Sequence, residues 1–388
     1  MKEKVKQPFV RFVRRENVTV RRTAAVLTAA ILFALVLGAV LLAFNGTDPF
    51  TFYWTVISGN FANAIAFRNL IRAIVPLLIT SLGIAVAFKL KFWNIGAEGQ
   101  FMMGAFFAMT ASLLLGNALP SFLTVVLVAL IGGLGGALFG GIVGFFKVKF
   151  GTNETLLTLM FNYIAQYFVA YLLNVDFYRR PGGGIPVFKS LPTSAWLSEI
   201  RIGNFSFDTA LIVALILVTG IFLYFKYTKH GYEIAVVGDS PNTALYAGMN
   251  VKKVTLRTVL LSAFLVGLAG ALQLQGPASG HTMSTGITGG MGWTGIIIAW
   301  LCRLNPFGIL LGSSLMGILE RGCEIARLNS GVSAASADIL QGIILFSVLA
   351  FDLFIRFKPV FRKKTEGLKG GPDETAGQPG ADATAGEG

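Results

Sequence analysis

Long uncharged, apolar stretches alternate with short polar and basic segments along this chain. Residues 23–44 and 155–175 contain no charged side chain, and residues 99–146 form one uncharged run of 48 residues. A helix that crosses a lipid bilayer needs about 20 mostly apolar residues. The long run therefore predicts two such helices, separated by the turn-forming segment 116–120. Further apolar stretches lie at 209–225, 258–302 and 339–351.

The hydrophobic pattern predicts an all-α, polytopic integral membrane protein with about nine to ten transmembrane helices, some of them broken. A helix satisfies its own backbone hydrogen bonds, which allows such apolar runs to lie in lipid. The expected helices cover 23–44, 68–88, a pair within 97–146, 154–174, 206–225, 257–275, a short apolar piece at 293–302, 306–327 and 337–357. The expected loops include external segments at 45–67 and 175–205 and an irregular stretch at 276–292.

Composition agrees with this pattern. Of the 388 residues, 54% are hydrophobic and only 13% are charged, whereas a soluble chain carries roughly a quarter charged residues. The two cysteines, Cys302 and Cys323, lie in or near apolar helices and do not indicate a disulfide framework. His230 and His281 are the only histidines, so the sequence predicts no metal site and no enzyme.

The basic residues that give the net charge of +13 are distributed as expected from the way the chain crosses the membrane. Eight basic residues precede residue 23, ten lie at internal turns and six follow residue 355, so 24 of the 32 fall on one side of an alternating path. The positive-inside rule assigns that side to the cytoplasm, with contact to membrane lipid, and no nucleic-acid partner is expected. The sequence thus predicts a bacterial cell-membrane protein with both termini cytoplasmic. Its expected parts are a basic leader at 1–22, a transmembrane domain at 23–358 with a cytoplasmic segment at about 226–256, and a disordered cytoplasmic tail at 359–388.

A glycine stripe marks the fourth predicted helix. Gly132, Gly136, Gly140 and Gly144 recur at every fourth position and therefore share one face. Small residues at this spacing let a neighbouring helix approach to backbone contact in lipid. We expect close helix packing along this stripe.

Two polar motifs lie beside apolar helices. Trp93, Asn94, Glu98 and Gln100 follow the basic Lys91, and they either form a functional site at membrane depth or cap a helix at the interface. In the second motif, Asn153 and Glu154 suit a helix start. Asn162 and Gln166 lie deeper on one face of the same helix, where they line a polar path or bond to neighbouring helices.

A third motif, residues 231–249, falls in the cytoplasmic segment. Asp239 or Ser240 is a suitable cap, Pro241 fits the first turn, and Gly248 ends a helix of about two turns. An isolated helix this short is unstable and needs a partner surface. It lacks the basic face of a lipid-surface helix, so we favour protein docking.

A fourth motif contains Trp293 and a short apolar piece that ends near Asn305. About ten apolar residues are too few for a straight span. Broken helices often form substrate sites in transporters, although a tilted span with a loose loop would give the same pattern.

Together these motifs resemble the permease subunits of bacterial ABC importers over about residues 20–358. The most specific part is 94–100, supported by 153–163 and 303–306, and the pattern is most similar to the nucleoside-type, basic-membrane-protein-linked permeases. Residues 231–248 resemble the ATPase-coupling loop of that family. The usual Glu-Ala-Ala stands here as Asn242, Thr243 and Ala244, and a usual Gly is replaced by Cys302.

The resemblance implies a transport subunit that binds no cofactor itself. A cytoplasmic ABC ATPase would bind ATP and Mg²⁺, an extracytoplasmic lipoprotein would deliver substrate, and a related, heterologous second permease would complete the pore. The expected substrate-pathway residues are Trp93, Asn94, Glu98, Gln100, Asn162, Gln166, Gln273, Trp293 and Asn305. The expected ATPase-coupling residues are Gly231, Glu233, Gly238, Pro241, Asn242, Ala244, Ala247 and Gly248.

Alternative functions remain open at this level. Amides and aromatic rings suit simple sugars as well as nucleosides, and permeases for branched-chain amino acids belong to the same group. An ion-coupled secondary transporter is a further alternative. It is motivated by the membrane-proximal acids Glu98, Glu154, Glu320, Glu324 and Asp338.

Overall fold

The helices of the protein follow the apolar runs of its sequence. The computed structural model describes residues 10–14, 19–182, 184–203 and 205–361. Within these ranges the α-helices are α1 Val20–Phe44, α2 Pro49–Ser58, α3 Ala64–Lys89, α4 Ala97–Leu115, α5 Ser121–Phe150, α6 Glu154–Leu172, α7 Thr209–Tyr227, α8 Lys229–Asp239, α9 Pro241–Tyr246, α10 Val251–Gln275, α11 Met291–Leu301, α12 Pro306–Ser330 and α13 Ala334–Arg356. The strands are β1 Val10–Arg14, β2 Glu199–Ile202, β3 Phe205–Asp208 and β4 Phe357–Phe361.

Six of the described helices are long and apolar enough to cross a membrane: α3, α4, α5, α6, α7 and α10. A seventh span forms if α1 and α2, bent by 117° at a short break, are counted together. The predicted polytopic α-helical fold with broken helices is confirmed. The predicted count of nine to ten was higher because it included α11, which has only 11 residues, and also α12 and α13.

The segment at 45–67, predicted as an external loop, is largely helical. Asp48 begins α2 by accepting hydrogen bonds from the backbone N–H groups of Phe50 and Thr51, and Pro49 occupies the first turn. Phe52 and Val56 are buried against the rest of the protein. An Asp-Pro pair is typical of both turns and helix starts, and in this protein it begins a helix.

In the core of the protein, helices α4, α5 and α10 pack so closely that their backbones are in contact. A Cβ atom added to Gly136 of α5 would lie 2.6 Å from the carbonyl oxygen of Ala263, and one added to Gly132 would lie 2.5 Å from the Cβ of Ala271. Close packing along the predicted glycine stripe is therefore confirmed. The facing glycines, Gly104 on α4 and Gly267 on α10, complete the crossing.

A β-hairpin, β2–β3, lies at the end of the bundle where α3 begins; we call this end the hairpin end. Arg72 of α3 binds the hairpin through two hydrogen bonds to the Asp208 carboxylate, at 2.8 and 3.1 Å, and one of 2.7 Å to Glu199. The Arg68 guanidinium donates to Ser206 at 2.6 Å. The end of the segment predicted as an external loop at 175–205, together with the first residues of the helix predicted at 206–225, thus forms a hairpin that ion pairs tie to α3.

The opposite end of the bundle carries Lys89, Lys147 and Lys226 in the last turns of their helices, and we call it the basic end. Strands β1 and β4 pair antiparallel between the chain's two terminal regions. Strand β4 includes residues 359–361, which were predicted to belong to the tail. The rest of that predicted tail, and most of the predicted leader, lie outside the described residues.

Candidate functional site

Helix α11 is a half-length helix that begins inside the bundle. Its 11 residues extend about 16 Å, roughly half the thickness of the hydrocarbon core. The chain enters it through Gly290, at a φ of 80°. A Cβ atom at Gly295 would contact Thr80, Ser81 and Ile84, which lie within the span of α3. The N-terminus of α11 therefore lies within the bundle.

The Glu98 carboxylate of α4 occupies the N-terminus of α11. It accepts a hydrogen bond of 3.0 Å from the backbone N–H of Gly292 and a further one from the Thr288 side chain. A carboxylate is stabilised at this position by the positive end of the helix dipole. Glu98 therefore caps a helix, as one interpretation of the sequence allowed, but it caps α11 rather than its own helix.

Asn162 of α6 fixes the backbone of the first polar motif. Its side-chain oxygen accepts the backbone N–H of Gly99 at 2.8 Å, and its amide donates to the carbonyl of Ile95 at 2.9 Å. The Thr158 hydroxyl accepts the N–H of Ile95 at 3.2 Å. The irregular segment before α4 thus has its polar groups paired by α6.

These elements line a cavity of about 270 Å³ that is open to the outside, which we call the α11 cavity. Four of the predicted pathway residues line it: Glu98, Asn162, Gln166 and Trp293. The other lining residues are Met102, Tyr163, Thr285, Thr288 and Gly290. Tyr163 follows Asn162 directly, so its place could have been inferred from the motif. The threonines lie in the irregular stretch before α11 and carried no signal of their own.

Asn94 and Gln100 do not line the α11 cavity. The two amides bond reciprocally at 2.9 and 3.0 Å, and Asn94 also contacts the Ser262 hydroxyl of α10. Both side chains are buried. In this structure they hold the segment before α4 against α10, and their predicted role in the substrate pathway stays a prediction.

Three further predicted pathway residues also lie elsewhere. Trp93 stacks on Trp300 near the basic end, with ring centroids 5.2 Å apart. Asn305 caps α12, accepting the backbone N–H groups of Phe307 and Gly308. Gln273 lines a separate cavity of about 390 Å³, together with Arg72, Asn69, Ala73, Pro277, Ala278, Met291, Glu320, Arg321 and Glu324.

The basic end presents a short exposed helix, α9, as the sequence predicted. The Ser240 hydroxyl caps it by accepting the backbone N–H of Thr243 at 3.3 Å, Pro241 occupies the first turn, and Gly248 follows its end at a φ of 76°. Leu245 and Tyr246 are exposed, Tyr246 to 93%. The exposed side of α9, which we call the α9 face, also includes Asn242 and Ala247.

Helix α8, which was not predicted from the sequence, supports α9. Cβ atoms at Gly231 and Gly238 would lie 2.3 Å from the Tyr224 carbonyl and 2.4 Å from the Lys89 carbonyl, so both glycines pack against the bundle. Glu233 bonds to Arg257 of α10 at 2.9 Å, and Ala244 is fully buried. These four residues pack beneath the α9 face and are not exposed on it, and their predicted coupling role stays a prediction.

The Glu233–Arg257 pair gives a testable pH dependence. The hydrogen bond from Arg257 holds the pKa of Glu233 below its ordinary value of 4.5. The contact therefore stabilises the fold above about that pH and is lost as the pH falls through the lowered value. We expect Glu233→Gln to destabilise the protein by about 0.5 kcal/mol at pH 7 and by less at pH 3.5. Melting in detergent at both pH values measures this, and an equal deficit at both would contradict it.

Among the described residues, no group of three or more His, Cys, Asp or Glu side chains could hold a metal ion. What the structure does contain is a half-helix inside a bundle of apolar helices, a polar cavity at its start, and an exposed helix at the basic end. These are features of a membrane transport protein.

Comparison with known proteins identifies the class. Residues 66–349 match the family described as branched-chain amino acid transport system / permease component, and the chain belongs to this family. It is similar to the guanosine ABC transporter permease protein NupP of Bacillus subtilis, with 30% identity over 84% of this chain and 93% of NupP. It is also similar to the nucleoside ABC transporter permease protein NupB of Lactococcus lactis, with 27% identity over 82% and 88% of the two chains. The glucose ABC transporter permease protein TsgB13 of Haloferax volcanii is 26% identical over 89% and 92%.

The predicted resemblance to ABC importer permeases is thus confirmed, and the protein is a multi-pass membrane permease.

Proposed function

We propose that this chain imports nucleosides as one permease subunit of an ABC transporter. The observation that supports this most directly is the lining of the α11 cavity. Trp293 and Tyr163 offer aromatic surfaces for a planar base, while Gln166 offers an amide for its polar edge or for the ribose. The similarity to guanosine and nucleoside permeases over most of each chain supports the same substrate class.

The energy for transport comes from a partner. We propose that a cytoplasmic ABC ATPase, which binds ATP and Mg²⁺, docks on the α9 face at the basic end. The positive-inside rule assigns that end, with both chain termini, to the cytoplasm of a bacterial cell. The hairpin end then receives substrate from an extracytoplasmic binding lipoprotein, and a related second permease closes the other side of the pathway.

A simple sugar is the second candidate substrate. Amides and aromatic rings also bind sugars, and the similarity to a glucose permease covers nearly the same part of the chain. The two candidates differ in how far transport depends on stacking against a planar base. Trp293 is the residue in the cavity that tests this difference.

Trp293→Ala is expected to raise the KM for purine-nucleoside uptake about tenfold, since stacking of a base on an aromatic side chain contributes roughly 1–3 kcal/mol. Trp293→Phe should recover most of that loss. The matched control is Trp54→Ala, which removes an exposed tryptophan on α2 outside the cavity. Uptake of labelled purine nucleosides, glucose and leucine by vesicles that contain the complete transporter provides the measurement. Uptake of glucose or leucine alone would overturn the nucleoside assignment.

A further inference from the structure

Helix α6 exposes a row of tyrosines. Tyr163, Tyr167 and Tyr171 are spaced four residues apart and are 50%, 72% and 64% exposed. The opposite face of α6 packs into the protein through Thr158, Asn162, Ala165, Val169 and Leu172. The tyrosine face therefore points away from the rest of this chain.

Helix α5 provides an internal comparison. Its residues Leu130, Leu134 and Leu138 have the same spacing and are 45%, 60% and 57% exposed. A row of leucines is what a helix presents to hydrocarbon. The two helices thus expose rows of equal geometry but different chemistry, which indicates different surroundings.

Lipid is a poor environment for the tyrosine face. Tyr163 and Tyr167 lie about 14 and 20 Å along a helix of about 28 Å that starts at Glu154. A phenol hydroxyl at such depth would be buried in hydrocarbon without a partner, at a cost of at least about 1 kcal/mol. Tyr171 lies at the hairpin end of α6, where tyrosines of the aromatic belt are common. Tyr163 and Tyr167 are therefore the two tyrosines whose depth is unfavourable in lipid.

The tyrosine face is continuous with the α11 cavity. Tyr163 and Gln166 both line that cavity, and Tyr167 lies one turn further toward the hairpin end. We propose that this face is a wall of the water-filled path between the hairpin end and the cavity, and that Tyr167 stacks on the base of the passing substrate. The second part of this proposal rests on the proposed nucleoside function, whereas the first part does not.

Thiol labelling tests the water-filled path without reference to substrate. In a background with Cys302→Ala and Cys323→Ala, single cysteines are introduced as Tyr167→Cys and, as the matched control, Leu134→Cys. A charged, membrane-impermeant maleimide added to membranes that contain the complete transporter should modify the first at least tenfold faster. Equal slow rates would place the tyrosine face in lipid. Modification of Tyr167→Cys only after removal of the second permease would make this face a subunit interface. Either result would overturn the proposal.

Uptake kinetics test the stacking. Tyr167→Phe keeps the ring and should leave the KM for a purine nucleoside within about twofold, whereas Tyr167→Leu should raise it about tenfold with kcat unchanged. Leu134→Ala, on the lipid-facing row, should alter neither. An unchanged KM in Tyr167→Leu would overturn the stacking role. If the transporter carries glucose instead, the labelling result stands while nucleoside uptake is absent in every variant. Failure of the proposed function can therefore be told from failure of this inference.

Discussion

Gly270→Val is expected to prevent recovery of folded protein. Gly270 lies in α10, and a Cβ atom there would come 2.0 Å from the carbonyl oxygen of Phe101 in α4. The obstructing atom belongs to the backbone, so no side-chain rotation can relieve the contact. The helices would have to separate, and we expect a loss at or above the upper end of typical overpacking costs, about 3 kcal/mol or more.

The matched control for this change is Gly220→Val. Gly220 also lies within a spanning helix, α7, but a Cβ atom there meets nothing within 4 Å. Both variants therefore share the intrinsic effect of valine on a helix. They differ only in whether the added side chain collides with a neighbouring helix. Yield, monodispersity on size exclusion and melting temperature in detergent measure the outcome. If the two variants melted at the same temperature, backbone contact between α4 and α10 would be refuted.

This contact also shows what the sequence could and could not predict. The glycine stripe of α5 was visible because its period is local, and lipid favours small residues at close crossings. Its partners on α4 and α10, such as Gly104 and Gly267, were not assigned, since sequence spacing does not show which helices meet. The spans themselves were predictable because the membrane requires long apolar runs.

The residues of the candidate site were likewise predictable only where a local sequence pattern marked them. Glu98 was selected because polar groups at membrane depth are costly, and Trp293 because it begins an apolar piece too short to span; both line the α11 cavity. The contact between Glu98 and Gly292 joins residues 194 positions apart, which no local pattern encodes. Asn94 and Gln100 had the same polar signal, but they satisfy each other. Polarity at membrane depth therefore predicts partners without showing whether a partner is substrate or protein.

In the segment that was predicted to be cytoplasmic, one helix was predictable from the sequence and the other was not. Helix α9 was predicted from its cap, its proline and its final glycine, all of which act within a few residues. Helix α8 was missed because glycines at 231 and 238 disfavour a helix locally. Both glycines are required by contact with α7 and with the end of α3, which only the folded structure shows.

Tyr246→Asp is expected to abolish coupling while leaving the permease folded. Tyr246 is the most exposed large apolar side chain of the α9 face, so its loss costs the fold little. At the centre of a docking surface, removal of a large aromatic anchor costs at least about 2 kcal/mol, or about 30-fold in affinity. A carboxylate buried there without a partner adds to that loss. We expect substrate-stimulated ATP hydrolysis and copurification of the ATPase to fall by at least this factor.

A second variant separates docking from folding. Ala244 is fully buried beneath the same helix, so Ala244→Asp places a carboxylate inside the protein and should lower the melting temperature of the permease itself. Tyr246→Asp should melt like the wild type, and Tyr246→Phe should keep both assembly and coupling. Normal ATPase binding by a correctly folded Tyr246→Asp variant would exclude the α9 face as the docking surface. The short helix would then serve only to connect α8 with α10.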